Sequence, residues 1–67
     1  MINKERERRP DAEFDLGYQV YVNDEGQEIF IIEGRVYKNG SWHYGLRRLE
    51  DNSLFGWRAE SYLSGAE

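Results

Sequence analysis

Aromatic side chains are the residues of this chain that are best suited to recognition chemistry, since its 67 residues include five tyrosines, three phenylalanines and two tryptophans. A small domain buries some of these rings because each covers a large apolar area. We expect the core to take Phe30, Phe55, Trp42 and Tyr44. Five tyrosines are harder to bury together, because every buried hydroxyl needs a hydrogen-bond partner. Exposed rings beside carboxylates suit a basic or methylated peptide. The candidate binding residues are Tyr18, Tyr21, Trp57, Tyr62, Asp24 and Glu25.

Arginine side chains offer a second chemistry, in which rings stack on single-stranded nucleic acid or RNA and guanidinium groups contact its phosphates. The candidates for this role are Arg35, Arg47, Arg48 and Arg58. The net charge of -4 disfavours it, and residues 14–67 carry five Lys and Arg against nine Asp and Glu. Affinity for nucleic acid comes mainly from neutralising phosphates. Nucleic-acid binding is therefore the weaker alternative.

Catalytic and metal-binding patterns are absent from the sequence. His43 is the one histidine, and no cysteine accompanies it to form a conventional metal site or a nucleophile with its base. There is no Gly-rich phosphate loop and no HExxH or GxSxG pattern. The sequence predicts a protein that is not an enzyme and has no cofactor, with His43 on the surface.

Short strands must position these side chains, because β-branched and aromatic residues alternate with turn residues from residue 16 onward. We predict strands near residues 17–23, 28–38, 41–49 and 54–58, with a short fifth near 62–64. Turn-forming residues fill the segments between them, at 23–26, 39–40 and 50–53. Three successive hairpins of this kind form an antiparallel meander.

The hairpin at Asn39-Gly40 determines which residues share a face. A two-residue loop would mix core and charged residues on each face of the two strands. A three-residue loop of residues 38–40, with Gly40 left-handed in a G1 bulge, collects the apolar residues on one face. The sequence therefore predicts the bulged hairpin, in which Tyr44 covers the backbone of Gly34. Its predicted pairs are Val36 with Trp42, Gly34 with Tyr44, and Ile32 with Leu46.

The segments 17–22 (GYQVYV), 40–44 (GSWHY) and 57–63 (WRAESYL), in this order of strands, resemble the SH3-like barrel superfamily. The resemblance implies a five-stranded barrel with a short 3-10 turn before the last strand. A short acidic first loop and the lone Trp42 make the chain similar to Tudor-type domains and unlike proline-binding SH3 domains. Tudor-type barrels hold methylated ammonium groups in an aromatic cage, for which Tyr18, Tyr21, Trp57 and Tyr62 are the candidates.

The predicted organisation is a flexible charged tail over residues 1–14, an SH3-like barrel over 15–64 and a C-terminal tail over 65–67. The longest apolar run is Ile29–Ile32, too short to span a membrane, and we expect an intracellular, cytoplasmic protein. The predicted function is a non-catalytic protein-interaction module that binds a peptide or a partner protein. Besides nucleic-acid binding, the remaining alternative is a small accessory subunit that pairs through a strand edge in a larger assembly.

Overall fold

Five antiparallel strands make up the computed structural model, which describes residues 11–66. The strands are β1 (Gln19–Val22), β2 (Ile29–Lys38), β3 (Ser41–Arg48), β4 (Leu54–Ala59) and β5 (Leu63–Gly65), with a 3-10 turn at Glu60–Tyr62. They form one sheet in the order β4-β3-β2-β1-β5. The all-β class, the five strands and the 3-10 turn before the last strand are confirmed. The SH3-like assignment stays a prediction, and β4 and β5 are the two ends of the sheet.

The core lies on one face of this sheet, where alternate residues of each strand point inward. Its fully buried side chains are Val20, Val22, Phe30, Ile32, Tyr44 and Leu46. Trp42 and Phe55 pack against them and are partly buried. The four aromatic residues expected in the core therefore lie in it or against it. We call the opposite face of the sheet the outer face.

The β2–β3 hairpin has a two-residue loop, since Lys38 pairs with Ser41 across Asn39 and Gly40. Both loop residues have positive φ, 52° at Asn39 and 83° at Gly40, as a type I′ turn requires. This turn matches the right-handed twist of the two strands. The predicted three-residue loop with a G1 bulge is wrong.

A bulge at Glu33 resolves the conflict that had favoured the longer loop. Ile32 pairs with Leu46, but the next pair is Gly34 with Gly45, so Glu33 is an extra residue in β2. The bulge reverses which residues of β2 point inward. Ile32 and Leu46 can therefore meet in the core although the loop has only two residues.

Beyond the bulge, the pairs differ from those predicted. Val36 pairs with His43 and Tyr44 pairs with Arg35. Val36 is 41% exposed, so its predicted place on the inner face is wrong. The predicted pair of Ile32 with Leu46 is confirmed.

The folded region begins before the predicted boundary at residue 15, because Phe14 is a core residue with 3% of its surface exposed. It also includes Gly65, which pairs with Val20 in the sheet. Residues 1–10, which make up most of the predicted tail, lie outside the described residues. In residues 11–66 no helix has the length and apolar character needed to cross a membrane.

Candidate functional site

The predicted aromatic cage is divided between the two faces of the sheet. Tyr18 packs against the core, with its ring 5.6 Å from that of Phe14. Tyr21 follows the buried Val20 and so points to the outer face, where its strand neighbours are Ile29 and Ser64. The rings of Tyr18 and Tyr21 therefore do not line one cage.

Trp57 lies across a pair of glycines on the outer face. Gly45 pairs with both Gly34 and Trp57, and a Cβ atom added to Gly45 would lie 3.0 Å from the indole ring. The backbone of Gly34 is thus covered by Trp57, and the prediction that Tyr44 covers it is wrong. The other side of the indole faces solvent, since Trp57 is 54% exposed.

The separation between Trp57 and Tyr21 follows from the register of β2. Tyr21 lies opposite Ile29, whereas Trp57 covers Gly34, five positions further along the same strand. At about 3.3 Å per residue, five positions along an extended strand span about 16 Å. Tyr62, in the 3-10 turn, is 56% exposed, and its carbonyl accepts a hydrogen bond from the Asn23 N–H at 2.9 Å, so it adjoins the β1–β2 turn. Of the four predicted rings, Tyr21 is the one that lines a depression in the surface beside the acidic turn.

Two neighbouring depressions lie on this part of the surface. The first has a volume of about 380 Å³ and is lined by Tyr21, Asn23, Gly26, Gln27 and Ser64. The second, about 270 Å³, is lined by Gln27, Glu28, Ile29, Leu49 and Glu50. Because Gln27 borders both depressions, we call them together the Gln27 groove.

Hydrogen bonds fix the walls of the Gln27 groove. The Asn23 side-chain amide donates to the Ser61 carbonyl at 3.4 Å and accepts from the Ser64 hydroxyl at 2.9 Å. The backbone N–H of Leu49 donates to the Ile29 carbonyl at 3.0 Å. The β1–β2 turn and the β3–β4 turn are thereby both attached to neighbouring elements.

Three exposed carboxylates lie around the Gln27 groove. Asp24 and Glu25 are exposed in the β1–β2 turn, and Glu50 is exposed in the β3–β4 turn. No cation within residues 11–66 forms an ion pair with any of the three. Glu28 differs, because its carboxylate lies 2.5 Å from the guanidinium of Arg48. The groove is therefore flanked by negative charge that a cationic partner could neutralise.

The four arginines of the nucleic-acid alternative do not form one basic surface. Three of them have carboxylate partners: Arg35 with Asp15 at 3.1 Å, Arg47 with Glu33 at 2.8 Å and Arg48 with Glu28. Arg58 packs over the Phe55 ring, with 4.7 Å from its guanidinium carbon to the ring centroid. Arg47 and Arg48 are consecutive in β3 and point to opposite faces of the sheet.

His43 lies on the outer face between Val36 and Ala59 and is half-buried. Its Nδ1 atom is 3.3 Å from the Ser41 carbonyl oxygen. Within residues 11–66, no three His, Asp or Glu side chains come together as a group that could hold a metal ion.

Sequence reasoning missed a network of hydrogen bonds around Tyr44. The Tyr44 hydroxyl donates to Glu60 Oε2 at 2.6 Å, and the same oxygen accepts from the backbone N–H of Glu13 at 2.9 Å. The N–H of Phe14 donates to the Tyr44 hydroxyl at 3.3 Å. Burial and the bond to Glu60 raise the pKa of Tyr44 to about 12. The sequence feature that could have indicated this network is Phe14, a large apolar residue between Glu13 and Asp15.

The Gln27 groove and the hydrogen bonds around Tyr44 are the two features of the structure that bear on function. No protein-family model matches the chain, and comparisons with curated proteins and with solved structures gave no match.

Proposed function

We propose that this chain is a non-catalytic protein-interaction module that binds a basic peptide segment in the Gln27 groove. The observation that carries the proposal is the position of Tyr21 in a groove flanked by three carboxylates that form no ion pair within residues 11–66. The proposal includes an SH3-like, Tudor-type fold and an intracellular location. Of the residues predicted for binding, it keeps Tyr21, Asp24 and Glu25.

Two kinds of contact support a basic partner. Tyr21 lines the groove, so a lysine or arginine side chain bound there would contact its ring, and cation–π contacts contribute about 0.5–1 kcal/mol at exposed sites. Asp24, Glu25 and Glu50 attract the same side chains, which favours encounter and orientation. Ile29 and Leu49 line the second depression of the groove and add apolar contact area for the stems of these side chains.

Removing the two carboxylate charges of the β1–β2 turn tests the proposal. The double variant Asp24→Asn, Glu25→Gln should bind an arginine- and lysine-rich peptide about tenfold more weakly than the unchanged chain, with the difference shrinking as salt is added. Affinity is measured by isothermal titration calorimetry with synthetic peptides. The matched control is Asp11→Asn, Glu13→Gln, which removes the same charge from two exposed residues ahead of the sheet.

Equal loss of affinity in the test and control variants would show that net charge alone attracts the peptide and would contradict the groove. Tyr21→Ala supplies an independent check, since the ring is only partly buried and lies outside the core. We expect this variant to lose peptide binding while its thermal transition stays close to that of the unchanged chain.

The two alternative functions have tests of their own. An electrophoretic mobility shift of single-stranded RNA that depends on Arg58 would support the nucleic-acid alternative. A single stoichiometric partner recovered from a native extract would support an accessory subunit.

A further inference from the structure

The segment ahead of β1 is bound to the sheet as a short peptide would be. We call residues 11–15 the arm. The N–H of Phe14 donates to the Tyr44 hydroxyl at 3.3 Å, and the carbonyl of Phe14 accepts from the Arg35 guanidinium at 3.1 Å. The N–H of Glu13 donates to Glu60 at 2.9 Å. Side chains of β2, β3 and the 3-10 turn thus hold the backbone of a segment that belongs to no strand.

The side chains of the arm are recognised as well as its backbone. The Phe14 ring is buried, 5.5 Å from the Tyr44 ring in an edge-to-face arrangement. The carboxylate of Asp15 lies 3.1 Å from Arg35. An aromatic residue followed by an acidic one is therefore recognised through its backbone, its ring and its charge. These are the contacts with which proteins select peptide ligands.

The connection between the arm and the sheet is one exposed turn. Leu16 is 59% exposed, and Gly17 has a φ of +87° with no atom within 4 Å of the position a Cβ would take. The turn is closed by a hydrogen bond from the Tyr18 N–H to the Asp15 carbonyl at 3.1 Å. Leu16 and Gly17 are therefore the residues whose conformation must change if the arm leaves its own sheet.

We propose that the arm exchanges between two copies of this chain, so that Phe14 of one copy occupies the site on Tyr44, Arg35 and Glu60 of the other. The side chains that hold the arm lie in the sheet, in the 3-10 turn or, for Tyr18, directly after the hinge, so exchange would preserve their contacts with the arm. Only the turn at Leu16 and Gly17 would open. Exchange of an identical element is a general route to a symmetric dimer, and short, tight hinges favour it.

Gly17→Val tests the exchange, because a β-branched residue is disfavoured at positive φ. The closed turn becomes strained, whereas an opened turn does not. We expect the association constant of the dimer to rise by about tenfold or more. Sedimentation equilibrium of the full chain measures it. Gly26→Val is the matched control, since Gly26 also has a positive φ and open space around it but lies in the β1–β2 turn. This control should leave the oligomeric state unchanged.

A mixed sample identifies the contact inside the dimer. Isotope-filtered NMR on a mixture of labelled and unlabelled Gly17→Val chains should show contacts between the Phe14 ring of one copy and the Tyr44 ring of the other. A Gly17→Val chain that stays monomeric, folded or unfolded, overturns the proposal. A dimer in which Phe14 contacts Tyr44 only within its own chain overturns it as well.

Discussion

Trp57 stabilises the sheet although more than half of its surface is exposed, because its ring covers the backbone of Gly34 and Gly45. A cross-strand ring over a strand glycine restores the contacts that the missing side chain would have made. The sequence suggested Trp57 as a binding residue. The register of the glycine pair shows that it also supports β2 and β3.

Gly45→Ala tests the fit of this ring. The new methyl group would lie 3.0–3.2 Å from three atoms of the Trp57 indole, so we expect the free energy of unfolding to fall by about 1–2 kcal/mol. In a Trp57→Ala background the same change should be neutral or stabilising, because alanine suits a strand better than glycine. Urea unfolding of the four chains gives the coupling energy. Equal penalties in both backgrounds would contradict the contact.

Tyr44 makes stability depend on pH in the alkaline range. Its pKa is raised from 10.0 to about 12 in the folded chain, so between these values the folded state holds a proton that the unfolded state has lost. The stabilisation is complete below pH 10 and disappears as the pH rises to about 12. The shift corresponds to about 2–3 kcal/mol in the free energy of unfolding.

Tyr44→Phe isolates this effect. The variant is expected to be less stable near neutral pH, because Glu60 and the N–H of Phe14 lose a hydrogen-bond partner. It should also lose less stability than the unchanged chain between pH 10 and pH 12. Urea unfolding across this range provides the measurement, and parallel pH profiles for the two chains would refute the assignment.

The β2–β3 hairpin shows what limits prediction at the scale of elements. The strands were predictable because apolar and polar residues alternate, and Asn39-Gly40 is the strongest short-range signal for a two-residue turn. The error came from requiring one uninterrupted register from Ile32 to Lys38. Glu33 is an ordinary exposed residue, and nothing in its type marks a bulge. The bulge became visible only through the pairing of both strands.

Substitutions at Asn39 and Gly40 test the conformation of the β2–β3 turn. Gly40→Val should lower the free energy of unfolding by about 1–2 kcal/mol, because Gly40 has a φ of +83° and a β-branched residue is strained there. Asn39→Gly keeps the positive φ accessible and should change stability by less than about 0.5 kcal/mol. Thermal unfolding followed by circular dichroism compares the two. A similar loss from both substitutions would argue against the two-residue turn.

At the scale of the whole molecule, the sequence identified candidate aromatic and acidic residues but did not show which of them lie close together. Because side chains alternate along a strand, the sequence at β1 puts Tyr18 on the face of Val20 and Tyr21 on the other face. The distance from Tyr21 to Trp57 required the pairing of β2 with both of its neighbours. Phe14 was assigned to the tail because isolated apolar residues in charged segments usually have nothing to pack against.

The groove and the arm lie at opposite halves of β2, since Ile29 borders one and Arg35 holds the other. The residues that hold the arm are not among those that line the Gln27 groove, so we expect both grooves of an exchanged dimer to stay open. Such a dimer would be bivalent, and a ligand with two basic segments joined by a linker of suitable length would bind it with avidity. The second segment would bind at a high effective concentration, which strengthens overall binding without any new contact. The five residues of the arm would then control how strongly repeated basic sequences are held.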